Sequence, residues 1–101
     1  MPTYIVLENW TDQGLRNYAQ SPSRLDAAVE AAARVGVQLR DVYWTMGMYD
    51  LVSVIDAPDD ETISAHMLND ASKGSVRSIT LRAFSRDQMQ RIIEKLDGSK
   101  T

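Results

Sequence analysis

Three side chains in this sequence could move a proton: Glu8, Asp50 and the single histidine, His66. A general base works within hydrogen-bond reach of the group it deprotonates and is oriented by a polar partner. None of the three has such a partner at a spacing the sequence defines. Cysteine is absent, which removes disulfides, thiolate metal ligands and a thiol nucleophile together. One imidazole cannot build a histidine metal cluster, and His66, between Ala65 and Met67, reads as a surface or rim group. Asp59-Asp60-Glu61 concentrates three carboxylates but lacks the spacing of a calcium loop. The sequence contains no phosphate-cradling glycine loop, nucleophile elbow or catalytic triad. No catalytic residue, metal or cofactor is therefore assigned.

Binding chemistry is easier to place. Gly47-Met48-Tyr49-Asp50 joins two β-type runs, 37–46 and 51–55, and Gly47 stands where a tight reversal needs its backbone freedom. Side chains alternate across a strand. If Leu51 and Tyr49 face away from the helices, Tyr43 and Thr45 share that face. Tyr4, Val6 and Glu8 from the first strand, with Thr80 and Arg82 from the last, can join them. The candidate ligand-binding residues are thus Tyr4, Glu8, Tyr43, Tyr49, Asp50, Thr80 and Arg82. Arg82 offers a planar donor array suited to a carboxylate and Tyr43 a ring with a polar tip. The matching ligand is a small acidic or aromatic metabolite. The same groups also suit ordinary roles: Asp50 accepting turn amides, and Arg82 with Glu8 as an interface ion pair.

The elements that must carry these residues follow from periodicity and caps. A strand is predicted over 3–8, ending near Asn9-Trp10, and Thr11 can cap a short helical turn weakened by Gly14. Ser21-Pro22 reads as a cap followed by proline at the first helical position. Leu25, Ala28, Val29 and Ala32 then recur at helical spacing, with Gly36 as terminator. After the hairpin, Pro58 and three acids open a second helix with Ile63, Met67, Leu68 and Ala71 as its apolar stripe, closed by Lys73-Gly74. Residues 75–84 form a fourth strand. Ser85-Arg86-Asp87-Gln88 is a capping box that opens a last helix through Met89, Ile92, Ile93 and Leu96.

The order β-α-β-β-α-β is ferredoxin-like, an α+β class, with an extra C-terminal helix. Its helices cover one face of the sheet. Yet Val52 and Val54 stand on one face of the third strand and Leu51 and Ile55 on the other; Ile5 and Leu7 likewise oppose Tyr4 and Val6. A sheet apolar on both faces needs a second cover, and a second copy is the most economical one. The expected assembly is a dimeric α/β barrel, with the chain's first partner being itself.

The 101 residues make one domain, 1–97, with a frayed tail at 98–101. Fourteen acidic and 11 basic residues give a net charge of −3, which provides no electrostatic grip on phosphate backbones, so nucleic acid is not an expected partner. Met1-Pro2-Thr3-Tyr4 runs straight into a strand, and no apolar run approaches the ~20 residues that cross a bilayer. A cytoplasmic, membrane-free location is expected.

Several segments, in order along nearly the whole chain, resemble the bacterial GYD-domain proteins. They are Pro2-Thr3-Tyr4, Thr11-Asp12-Gln13-Gly14, Ser21-Pro22-Ser23-Arg24, Gly47 to Val52, Ala57 to Glu61 and Ser75 to Ser85. The resemblance implies a small ferredoxin-like domain and leaves activity open. More distantly, residues 42–84 are similar to the effector domains of feast/famine transcription regulators. That similarity implies a ligand-sensing or oligomerisation module without its DNA reader. The expected function is a non-enzymatic homo-oligomeric module that binds a small metabolite, or serves regulation, at subunit interfaces. The alternative is a cofactor-free dimeric-barrel enzyme, a monooxygenase or isomerase, acting on a small ring-bearing substrate.

Overall fold

A computed structural model describes residues 1–96 and Gly98. The expected tail at 98–101 lies, Gly98 apart, outside the described residues. In chain order the elements are β1 (Thr3–Trp10), α1 (Asp12–Arg16), a single 3-10 turn (Tyr18–Gln20), α2 (Ser21–Arg34), β2 (Gln38–Trp44), β3 (Leu51–Asp56), α3 (Asp60–Ser72), β4 (Val76–Ala83) and α4 (Arg86–Lys95). The four strands form one antiparallel sheet in the order β2-β3-β1-β4. This is the ferredoxin-like arrangement, an α+β fold.

The caps are specific. Thr11 accepts from the Gly14 amide at 3.2 Å, and Asp59 accepts from the Thr62 amide at 2.7 Å. The Thr62 side chain, and then its amide, hold the Asp59 carboxyl below its usual range by hydrogen bonding. Ser85 and Gln88 close a reciprocal capping box with bonds of 3.2 and 2.7 Å. Ser21 differs from expectation. It lies inside α2, whose N-cap is Gln20 without a side-chain bond, and its hydroxyl accepts from the Trp44 indole at 2.9 Å.

The core lies between the sheet and helices α2 and α3. Tyr4, Val6, Ile55, Ala32, Val37, Ala57 and Ile63 form its buried cluster, with Leu39 and Met67 packed against it. The strand pairing assigns the two sheet faces. Tyr4, Val6 and Glu8 oppose Ile55, Ser53 and Leu51 on one side and Arg82, Thr80 and Ser78 on the other. Alternation therefore groups these residues on one face, but that face is the one the helices cover. The expectation that they point away from the helices is corrected.

Tyr43 is corrected as well. The connection 45–50 has an even number of residues, so Tyr43 pairs with Val52 and Trp44 with Leu51. Tyr43 consequently stands on the bare face with Ile5, Leu7, Val52, Val54, Ile79 and Leu81. A bulge at Arg40, between Leu39 and Asp41, returns Leu39 to the helix side opposite Ile55.

Helix faces differ from the predicted stripes too. On α3 the buried side is Ile63 and His66 with half-buried Met67 and Asp70, while Leu68 and Ala71 are exposed. Val29 on α2 and Met89 on α4 are exposed. Helix α4 makes no extensive contact with any other element. The radius of gyration is accordingly 15.7 Å, against about 13 Å for a compact chain of this length.

Two glycines are required by geometry. Gly47 has φ +101° in the β2–β3 connection, and no atom lies within 4 Å of the point a Cβ would occupy. Gly47→Val should therefore cost only backbone strain, about 1–3 kcal/mol, while Met48→Ala, at an exposed site, should leave urea midpoints unchanged. Gly14 in α1 is a close approach: a Cβ there would sit 2.0 Å from the Ser75 carbonyl oxygen. Gly14→Ala should lower stability by about 1–3 kcal/mol despite alanine's better helix propensity. Thermal or urea unfolding of both variants checks these values.

Candidate functional site

The sequence Gly47-Met48-Tyr49-Asp50 acts as a clasp on the end of β1. Asp50 donates its amide to the Glu8 carbonyl at 2.9 Å, and its Oδ2 accepts the Trp10 amide at 2.9 Å. The carboxylate thus supplies the acceptor that a longer β3 would have offered. The loop is tied from within as well. The Thr45 amide donates to the Asp50 carbonyl at 2.8 Å, and the Thr45 hydroxyl donates to the Tyr49 carbonyl at 2.6 Å. Asn9 Nδ2 donates to the Met48 carbonyl at 2.8 Å. The expectation that the Asp50 carboxylate holds amides of its own turn is corrected: it holds the neighbouring strand.

The clasp fixes Glu8 and Trp10, and both border a cavity of about 160 Å³ between the sheet and helices α2 and α3. Arg24 and Ala28 of α2 and His66, Met67, Asp70 of α3 line its other sides, with exposed Lys73 at its edge. Three of the residues around this cavity each carry a buried polar atom with no hydrogen-bond partner among the described residues: Glu8 Oε2, Trp10 Nε1 and Arg24 Nη2. Each unmet buried group costs on the order of 1–3 kcal/mol, so the concentration of all three in one place marks a site built to receive something polar. Arg24 is held in place by its other guanidinium nitrogen, Nη1, which donates to the Asn17 carbonyl at 2.9 Å.

Glu8 is 9% exposed and His66 8%. Burial, reinforced by the adjacent Asp70 carboxylate, pushes the Glu8 carboxyl up to about 7. Glu8 is therefore able to hold a proton near neutral pH. Burial pulls His66 below its usual range; nearby Lys73 acts in the same direction and Asp70 against it. The buried His66 corrects the surface reading, because α3 turns its Ile63–His66–Asp70 side toward the sheet. His66 also borders an outer groove of about 480 Å³ between α2 and α3. Among the described residues no group of three His, Asp or Glu could hold a metal ion, and no helix is long and apolar enough to cross a membrane.

Of the seven residues singled out by sequence, only Glu8 lines the cavity. Tyr4 donates its hydroxyl to Asp60 at the start of α3; that bond, with burial, raises its pKa. Arg82 lies over the rings of Phe84 and Tyr4, 4.6 and 5.6 Å from their centroids, and donates to the Thr3 carbonyl at 3.3 Å. It makes no pair with Glu8. Thr80 is exposed on the edge strand, Tyr43 is exposed on the bare face, and Tyr49 and Asp50 belong to the clasp. Sequence reasoning missed Trp10, Arg24, His66 and Asp70 as cavity residues. The usable signal was the unusual polarity of α3 at His66 and Asp70, three and seven residues from Ile63.

Glu8 generates a pH prediction. A carboxyl raised from 4.5 to about 7 favours the folded state while it is protonated, so its contribution is lost as pH rises from about 4.5 through 7. His66 acts oppositely, losing stability as pH falls through its unfolded value. Comparing Glu8→Gln with wild type cancels the histidine. The variant should be more stable than wild type at pH 8 by up to about 3 kcal/mol, and the difference should shrink toward pH 5. Urea unfolding across that range measures it; a pH-independent difference would show that Glu8 titrates normally.

The chain matches the GYD domain family model over residues 4–93. It is 39% identical over 85 residues to a protein of Thermus thermophilus described as a glutamine synthetase and cystathionine beta-lyase binding protein, spanning 83% of this chain and 90% of that one. A crystal structure of a Thermus thermophilus protein superposes with a TM-score of 0.55 at 30% identity, covering 84% of this chain and 95% of the other. The resemblance of the ordered segments and of the Gly47–Asp50 clasp is thereby substantiated, and the chain belongs to the GYD-domain family.

Proposed function

We propose that this chain is a non-enzymatic, self-associating binding module that docks onto glutamine synthetase and cystathionine beta-lyase of its own host. The observation that carries the reading is the binding role stated for the Thermus thermophilus relative, whose length this chain spans almost entirely. The distribution of apolar surface supports it. The bare sheet face presents Ile79 and Leu81, 51% and 44% exposed, beside Ile5, Leu7, Val52 and Val54. Met89, Ile92, Ile93 and Leu96 of the last helical segment are also exposed. Contiguous apolar surface of this kind belongs to an interface.

In the assembly we propose, two copies pack bare face to bare face as a dimeric α/β barrel, and Tyr43 lies within the contact. Helix α4 of each copy lays its apolar side on its partner. The remaining outer surface is left for the enzymes.

Two measurements test this reading. Sedimentation at micromolar concentration should give a dimer or a multiple of it, and Ile79→Glu should shift the protein to an 11.3 kDa monomer by placing a charge in the apolar contact. Size-exclusion chromatography with each purified enzyme should show co-elution. A folded wild-type monomer would overturn the self-association, and separate elution of both enzymes would overturn the docking.

A further inference from the structure

We infer that the cavity beneath α2 and α3 binds a small zwitterionic amino acid, with Arg24 and the Trp10 indole N–H taking the carboxylate and the Glu8 carboxylate taking the ammonium. The inference does not depend on enzyme docking, since every group it uses lies within one chain.

Size sets the first bound. The cavity measures about 160 Å³, and a cavity of about 150 Å³ holds a benzene-sized guest, so a ligand of roughly six to eight non-hydrogen atoms fits. Chemistry sets the second. Trp10 Nε1 and Arg24 Nη2 can only donate, and both are buried and unpartnered. They call for an acceptor, and the guanidinium charge favours an anionic one. Glu8 Oε2 is likewise buried and unpartnered, nine-tenths of its residue being shielded from solvent. With Asp70 beside it, it calls for a cationic donor.

Above pH 7, where Glu8 is ionised, a simple carboxylate would leave Glu8 unmet, and a simple amine would leave Arg24 and Trp10 unmet. A compact molecule bearing both charges satisfies all three atoms. The remaining walls include Leu25, Ala28, Leu51, Ile55 and Met67, which accept a short aliphatic side chain and disfavour a third charge. Ligand sites commonly combine such apolar walls with a few convergent polar groups.

Isothermal titration of the purified full chain with L-alanine, L-serine and L-valine tests the inference, with propionate and ethylamine as single-charge controls. At least one of the three amino acids should bind saturably, one per chain, and raise the melting temperature. Propionate and ethylamine should bind at least about tenfold more weakly. Glu8→Gln, which keeps the shape and removes the charge, should weaken binding about tenfold or more, as should Arg24→Lys, which keeps the charge and removes the planar fork. Ala28→Leu, which fills the cavity from α2, should abolish it while circular dichroism shows the fold retained.

Absence of binding by all three amino acids at about 10 mM, well above ordinary metabolite affinities, overturns the inference. So does propionate binding as tightly as alanine, or binding that survives both Glu8→Gln and Ala28→Leu. If a variant fails to fold, the wild-type comparison of amino acids with single-charge controls still decides. Because these readouts involve no second protein, they are independent of whether the enzymes co-elute.

Discussion

The contact between the Asp50 carboxylate and the Trp10 amide is the constraint on which the rest depends. It sets the start of β3 at Leu51 and fixes the last residues of β1. With the Asp50 amide on the Glu8 carbonyl, it grips the chain at both sides of Asn9. Register in a sheet has a period of two, so a one-residue slip sends every side chain to the other face. A slip of β1 would carry Glu8 and Trp10 out of the interior and Leu7 and Asn9 into it. Asp50 is thus a register lock first, and the placement of Glu8 and Trp10 beneath the helices follows from it.

The sheet is unusual in how it divides its residues. Its helix-covered side contains Glu8 and Ser53, met from above by Ser21 and His66, all buried. Its uncovered side is the more uniformly apolar one, built from Ile5, Leu7, Val52, Val54, Ile79 and Leu81. A small chain has little apolar surface to distribute, and here a good part of it is kept outside the chain's own core. The core proper is consequently modest and polar at one end. Stability inside the chain, and the contact proposed outside it, draw on the two opposite faces of the same four strands.

Much of the framework was legible because its signals are local. Thr11, Asp59 and the Ser85–Gln88 box cap their helices through neighbours three residues away, and Gly47 lies in a reversal that its own dihedral identifies. The faces were not legible. Strands that are apolar on both sides give alternation no way to say which side the helices take, and the register of Tyr43 depends on the length of a loop whose strand ends are uncertain by a residue. The cavity was hidden for another reason. Glu8, Trp10, Arg24, His66 and Asp70 are far apart in sequence and meet only through the crossing of two helices over the central strands. His66 and Asp70 also break the hydrophobic stripe by which a buried helix face is recognised, so periodicity alone turns α3 toward Leu68 and Ala71.

Helix α4 has ten residues and little of the chain to lean on. Isolated helices of that length are marginal in water, even with a good cap, because nucleation is costly and few bonds follow it. In the dimer proposed above, its order would be a shared property: each copy's last helix would be held by its partner. Local structure in α4 would thereby become subject to mass action. Dilution of that dimer would act on the arm as a denaturant does, melting it while leaving the sheet and its locked register in place.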